Sequence, residues 1–203
     1  TPRQTPQSVT TITRQQMDDR AIHTIEQALE TTPGVTASKA EVGGRTDYRA
    51  RGYSITNWKV DGLQFQGGSD FSGGGNALNM DLYERIDIVR GANGLMTGAG
   101  DPSASLNMVR KRASSAELKG SLELSGGTWD TYGVEGDVSS ALNPEGTIRG
   151  RVVAESNEGD TWIDMNSTKR QTLYGTMDID LTPDTTLWFG LIHQESNADS
   201  PMW

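Results

Sequence analysis

The chain has 203 residues, 18 Lys and Arg against 27 Asp and Glu for a net charge of −9, two His and no Cys. That length allows one or two domains or a piece of something larger, and no apolar run approaches the roughly 18 residues of a spanning helix, so a helical membrane protein is excluded. Without Cys there are no disulfides, Cys-ligated zinc, iron–sulfur clusters or thiol catalysis, and two His leave little room for His-based metal or acid–base chemistry.

Charge divides the chain: residues 1–115 carry 13 basic and 12 acidic groups, residues 116–203 carry 5 and 15. An acidic second part argues against nucleic acid, which needs clustered Lys and Arg. No basic, apolar, small-residue signal follows Thr1, so the chain reads as cytoplasmic or already processed.

In chain order, Ser8 to Thr13 is β-prone. Thr13-x-x-Gln16 and Thr24-x-x-Gln27 are capping-box patterns, and Met17, Ile22, Ile25 and Leu29 recur at helical spacing until Pro33-Gly34, predicting one helix or two short ones. Short strands are expected at 35–38, 48–53, 58–61, 85–89 and 106–109, joined by loops containing Gly43-Gly44, Gly67-Gly68, Gly73 to Gly75 and Gly91 to Gly100. This describes a small mixed α/β domain ending near Ser114-Ser115. The Gly91 to Gly100 stretch lacks a Gly-Lys-Ser/Thr ending, a proper G-x-G-x-x-G spacing and a following helix, so tight turns account for it better than a nucleotide site.

Beyond residue 116 the period changes to two. Leu118, Gly120, Leu122 and Leu124 oppose Lys119, Ser121 and Glu123. Tyr132, Val134, Gly136 and Val138 oppose Glu135, Asp137 and Ser139. Ile148 to Ala154, Leu173 to Leu181 and Leu187 to Leu191 repeat the pattern, the last broken by Trp188 and Ile192 on the polar face. Asn143-Pro-Glu-Gly146 and Thr182-Pro-Asp184 are tight turns, whereas 157–170 and the stretch from Glu195 onward read as longer polar loops. Strands of about 10 residues with short turns at one rim and long loops at the other fit a transmembrane β-barrel. A soluble antiparallel sandwich with one wet face also fits, and five strands are too few to close a barrel of about eight.

No catalytic constellation is present: there is no G-x-S-x-G elbow, H-E-x-x-H, calcium loop or pair of carboxylates in an apolar setting, so an enzyme is not expected. Arg45, with Asp47, Tyr48 and Arg49, offers a cation and a ring to an anionic ligand, or is an exposed loop charge. Phe71, on a polar glycine loop, either grips a ligand or partner or folds back into the core, and Trp58 reads as core. Arg51, Arg85 and Arg90, in strand context with Glu84 and Asp87, read as structural charges.

Several segments, in this order and spacing, resemble the start of a TonB-dependent outer-membrane siderophore receptor. They are Thr5-Pro-Gln-Ser-Val-Thr-Thr-Ile-Thr, Thr32-Pro-Gly-Val35, Arg49-Ala-Arg-Gly-Tyr53, Val60-Asp-Gly62, Leu82-Tyr-Glu-Arg-Ile-Asp-Ile-Val-Arg-Gly91, Gly94-Leu-Met-Thr-Gly-Ala-Gly-Asp-Pro-Ser103 and Leu106-Asn-Met-Val-Arg-Lys-Arg112. Met96-Thr-Gly-Ala-Gly100, Asn107-Met-Val-Arg-Lys111 and Ser200-Pro-Met-Trp203 look closest to receptors for ferric hydroxamate siderophores such as coprogen, and for pyoverdine.

The resemblance implies an α+β plug domain, residues 1–115, followed in 116–203 by the first five antiparallel strands of a 22-stranded transmembrane β-barrel, the chain being a fragment. It implies a monomer in the bacterial outer membrane, plug facing the periplasm, that imports a ferric siderophore when TonB pulls on the plug. TonB would capture, by β-strand addition, a segment expected before Thr1. No cofactor or protein metal site is expected, iron arriving in its siderophore, and the outer loops would serve any phage or bacteriocin. Arg45, Tyr48, Gln66 and Phe71 match ligand positions of the plug apex; Arg51, Glu84, Arg85 and Arg90 match plug charges that meet barrel carboxylates. Asp101-Pro-Ser-Ala104 and the Gly73 to Gly75 loop depart from the family pattern. The competing expectations are a soluble β-rich binding or adhesion module, or a TonB-dependent receptor for a catecholate siderophore or cobalamin.

Overall fold

Two threonines, each with a glutamine three residues on, open the helices of this protein. The computed structural model describes residues 8–39, 46–65, 78–91, 102–161 and 164–199. It divides the chain into two units, Thr1–Lys111 and Arg112–Trp203. In the first, β1 (Ser8–Thr13) leads into α1 (Arg14–Asp19), and α2 (Ile25–Glu30) follows. The hydroxyls of Thr13 and Thr24 accept from the N–H of Gln16 and Gln27, whose side chains accept in return from the N–H of Thr13 and Thr24 at 3.2 and 3.1 Å. The helices are separate because Ala21 takes φ 49°, a left-handed conformation that no helix continues through. Met17, Ile25, Ala28 and Leu29 form their buried stripe.

Next come β2 (Val35–Lys39), β3 (Thr46–Ala50), β4 (Tyr53–Ser54), β5 (Asn57–Val60), β6 (Leu63–Phe65), a 3-10 turn at Met80–Leu82, β7 (Tyr83–Arg90) and β8 (Ala104–Arg110). One sheet runs β1-β7-β8-β5-β6, antiparallel except for the β5–β8 pair, and a second runs β2-β3-β4. Ile12, Ile86 and Met108 pair across three strands, and with Ile88, Leu106 and Trp58 they form the core. The expected strand 48–53 is in fact a hairpin, and β6 is an addition to the sequence reading.

Two motifs quoted above turn out to be hairpin turns. Ala50 pairs with Tyr53 across Arg51-Gly52 (φ 56° and 85°), and Val60 pairs with Leu63 across Asp61-Gly62 (φ 50° and 81°). Two positive φ angles in a two-residue loop are the type I′ conformation, whose twist matches that of the strands. Asp61 then joins this turn to β8: its carboxylate accepts from the N–H of Arg110 at 3.0 Å and from its Nε at 2.5 Å, while the N–H of Gly62 donates to Asn107 Oδ1 at 2.8 Å. The Val60-Asp-Gly62 and Asn107-Met-Val-Arg110 segments are two halves of one joint.

The second unit is a five-stranded antiparallel meander: β9 (Lys119–Gly126), β10 (Tyr132–Ala141), β11 (Ile148–Asp160), β12 (Ser167–Thr182) and β13 (Thr185–Asp199), with β9 and β13 at its edges. β11, β12 and β13 are longer than about 10 residues, and the loop expected over 157–170 shrinks to 161–166. Asn157 pairs with Arg170, Glu158 with Lys169 and Asp160 with Ser167, and a Lys169–Glu158 ion pair at 3.1 Å crosses the ladder. Likewise β13 continues through Glu195 to Asp199. Polarity on both faces marks strand standing in water here, not loop.

Arg51 is a long side chain in a left-handed position that Asn tolerates better. Arg51→Asn is expected to leave the β3–β4 hairpin unchanged or to stabilise it by up to about 1 kcal/mol, and Gly52→Val to destabilise it by about 1–2 kcal/mol. Amide exchange at Ala50 and Tyr53 in the full-length protein measures both.

Candidate functional site

Three of the four expected ligand contacts, Arg45, Gln66 and Phe71, lie outside the described residues, as do the glycine runs 43–44, 67–68, 73–75 and 92–100. Tyr48 is placed by β3, which begins one residue after Arg45. It is not an exposed contact but a buried ring, edge-on to Trp58 with centroids 5.6 Å apart. Trp58 is held in turn by its indole N–H donating to the Ile55 carbonyl at 2.8 Å. Tyr48 therefore fixes β3 against Trp58. Burial pushes its phenol up to about 12, opposed by the Thr46 hydroxyl and reinforced by the charge of Glu30.

The four expected structural charges separate. Arg90, at the end of β7, donates to the Pro33 carbonyl, to Ser8 Oγ at 2.9 Å and to Thr10 Oγ1 at 2.8 Å, so it ties β7 to β1 and to the turn after α2. Arg85 pairs with Asp87 at 3.0 Å on an exposed face, and Thr11 donates to the same carboxylate at 2.9 Å. These bonds join parts of the first unit. Arg51 occupies its turn with its guanidinium beside Gly91, and Glu84 is exposed on β7. A fifth cluster was not anticipated: buried Asp81 faces His23 Nδ1 at 3.2 Å and Arg14 Nη2 at 3.7 Å, and Arg14 also donates to the Met80 carbonyl at 2.9 Å. An arginine on that carboxylate makes it an ion cluster that clamps the 3-10 turn to the start of α1.

The second unit is inverted relative to a water-soluble sheet. Asp137, Ser139, Glu155, Thr172, Thr176 and Asp178 are buried on one face, whereas Leu122, Leu173 and Leu191 on the other are 73, 53 and 81% exposed. Buried charge is tolerated because it is paired. Arg151 forks onto Asp137 at 2.8 and 2.7 Å, Arg149 onto Asp180 at 2.5 and 2.8 Å, and Arg170 reaches Glu155 at 2.9 Å. Arg112 forks onto Asp178 at 3.1 and 2.7 Å and lies 4.3 Å over the ring of Trp188, which explains an aromatic residue on the polar face. The alternation of residues signalled this face; the pairings, up to 66 residues apart, left no mark in the sequence.

Comparison with known proteins bears on the family and the fold. The family model described as TonB-dependent Receptor Plug Domain matches residues 1–105. The chain is 41% identical to the ferric-pyoverdine BN7/BN8 receptor of Pseudomonas putida, over all of this chain and 24% of that one. Among solved structures, it is similar to the ferripyoverdine receptor of the outer membrane of Pseudomonas aeruginosa bound to ferripyoverdine, with TM-score 0.90 and 39% identity over 98% of this chain and 26% of that one. The FpvAI–pyocin S2 complex gives TM-score 0.90 at 38% identity, again over 98% of this chain and 26% of that one. The chain thus spans about a quarter of the length of the relatives it matches.

Because the folded state holds Tyr48 neutral up to about pH 12 against an ordinary value of 10, its contribution to stability is complete below pH 10 and is lost as pH rises through 12. That contribution is about 2–3 kcal/mol. Tyr48→Phe is expected to remove the corresponding share of the alkaline destabilisation and to delete a step near pH 12 from the tyrosinate absorbance titration of the full-length protein.

Proposed function

Since the chain belongs to the TonB-dependent receptor family, its plug domain matched over more than half its length, we propose that it is the plug and the first barrel strands of an outer-membrane importer of a ferric siderophore. The relatives named for ferric pyoverdine favour pyoverdine as cargo, with a hydroxamate siderophore as the next choice. In this reading residues 1–115 occlude the pore, residues 116–203 begin its wall, and TonB, gripping an extended segment by strand addition, supplies the work. The protein breaks no bond in its cargo and needs no metal site of its own. The complex of a relative with pyocin S2 supports a bacteriocin as a second user of the outer surface.

The observation that carries the membrane reading is the outline of the apolar face. Reading across paired strands, Leu124, Val134, Ser156, Gln171 and Glu195 form one row, which passes from apolar to charged. Four residues lower, Gly120, Val138, Val152, Gly175 and Leu191 form a row with no polar side chain. The apolar boundary therefore climbs four residues from β13 to β9, about 13 Å along the strands across about 19 Å of sheet. A flat bilayer surface meets that boundary only if the strands tilt by about 35°, inside the range for outer-membrane barrels. A soluble sandwich would instead bury Leu122, Leu173 and Leu191 and expose Asp137, Glu155 and Asp178.

Arg45, Gln66 and Phe71 are proposed as the plug's ligand contacts, with Tyr48 as the buried footing of the strand that follows Arg45. Arg51, Glu84, Arg85 and Arg90 are proposed as the plug charges that meet barrel carboxylates and lock the plug.

Quenching of tryptophan fluorescence in the detergent-purified full-length receptor, titrated with ferric pyoverdine, ferric coprogen, ferrioxamine, a ferric catecholate and cobalamin, tests the cargo. Tight binding of pyoverdine or a hydroxamate is expected, and binding of the catecholate or cobalamin alone would replace the cargo while keeping the transporter. Arg45→Ala is expected to weaken that binding by about 1.5–3 kcal/mol. For the membrane face, Val152→Arg is expected to cost about 2–4 kcal/mol of folding into lipid and His193→Arg no more than about 1 kcal/mol, since the tilt lifts His193 to the headgroups. Equal costs in a vesicle folding titration would refute the tilt.

A further inference from the structure

Residues 112–116 bond in succession to β12 and β13, to β11 and to the end of β10. Arg112 sits on β12 and β13, through Asp178 and Trp188. Its carbonyl accepts from Arg151 Nη1 at 3.2 Å and the Ala113 carbonyl from Arg149 Nε at 3.0 Å, both from β11. The Ala116 carbonyl accepts from the N–H of Ala141, the last residue of β10, at 3.2 Å. β9 then begins at Lys119.

We infer that residues 112–116 are a fixed strap, so that the joint between plug and wall stays closed through transport and the plug yields only ahead of Arg112. This rests on the importer reading above. The geometry supports a latch over a hinge for three reasons. Each wall arginine that holds a strap carbonyl is itself locked by a forked carboxylate, Arg149 by Asp180 and Arg151 by Asp137, so neither can follow a moving strap without abandoning its partner. Arg112 is gripped twice, by fork and by ring, and Asp178 is buried, so withdrawal would strand a charge away from water. Ala113, the small residue between these anchors, is completely buried. Work applied to the plug meets a stiff restraint at this end, and displacement is taken up ahead of Arg112.

The strap can be closed covalently. The Ala116 Cβ lies 3.4 Å from where a Cβ on Gly146 would stand, near the spacing a disulfide requires. In the full-length receptor, freed of any other cysteine, Ala116→Cys with Gly146→Cys is expected to take up whichever of ferric pyoverdine and ferric coprogen the receptor binds at the same rate oxidised and reduced. Gly146→Cys alone is the control, because Gly146 has φ 71°. Uptake that is lost on oxidation and restored by reductant would overturn the strap. Conversely, Arg112→Ala is expected to lower uptake about tenfold or more with cargo affinity and outer-membrane amount unchanged; unchanged uptake would also overturn it. If Arg112→Ala fails to reach the membrane, the disulfide pair decides. A wild-type receptor that carries no cargo would sink the importer reading and not the latch. The latch would then be judged by the Ala141 amide, whose exchange should quicken in Arg112→Lys, which lacks both fork and stack; unaltered exchange would end the proposal.

Discussion

A carboxylate removed from water must find a cation, and in this protein that requirement organises the wall. The second unit leaves Leu122, Leu173 and Leu191 exposed and buries Asp137, Glu155 and Asp178. Removing the arginine of the Arg151–Asp137, Arg112–Asp178 or Arg170–Glu155 pair would leave a buried carboxylate uncompensated, a far larger penalty than an exposed ion pair could ever repay. The forks of these arginines also fix register, because a shift of one residue would carry every carboxylate to the apolar side. Strand pairing, the route of the connecting strap and the polarity of the two faces all answer to that one need.

Local chemistry was legible in the sequence wherever it is confined to a few adjacent residues. Thr13 with Gln16 and Thr24 with Gln27 announce helix starts because both partners of each capping bond lie within one turn. The alternation from Leu118 to Leu191 likewise shows a two-faced sheet. What it could not show is which face is covered, since a sandwich and a barrel segment share a period and differ only in which side meets water. The misjudged loop at 157–170 has the same cause: polarity on both faces resembles loop composition, and only the cross-strand pairing of Glu158 with Lys169 distinguishes the two.

For the candidate site the division is between motif and partner. Asp61-Gly62 reads as a turn in any sequence, yet its attachment to Arg110, 49 residues away, is a property of the folded chain alone. Tyr48 shows the opposite error: a polar-tipped aromatic beside Arg45 and Arg49 suggests a ligand contact, but β3 turns it toward Trp58, where its area contributes more as packing. Nothing near Arg90 in the sequence points to its bonds with Ser8, Thr10 and the Pro33 carbonyl, which lie more than 50 residues away. Arg112 closes a family segment but gives no sign of its partners, because Asp178 and Trp188 become its neighbours only after β12 and β13 pair.

The meander is open, and both outer strands leave half their backbone amides and carbonyls without a ladder partner in these residues. In water such an edge recruits other strands, and in hydrocarbon, where no solvent can satisfy it, it cannot persist. Each hairpin pairs only with its sequence neighbour, so these strands can zip up early and locally, well before the ring they belong to is complete. Between that moment and closure the segment is a sticky template with an apolar face, and its safe handling is a matter of timing and escort: β9 and β13 must be met by the remaining wall before they meet another molecule.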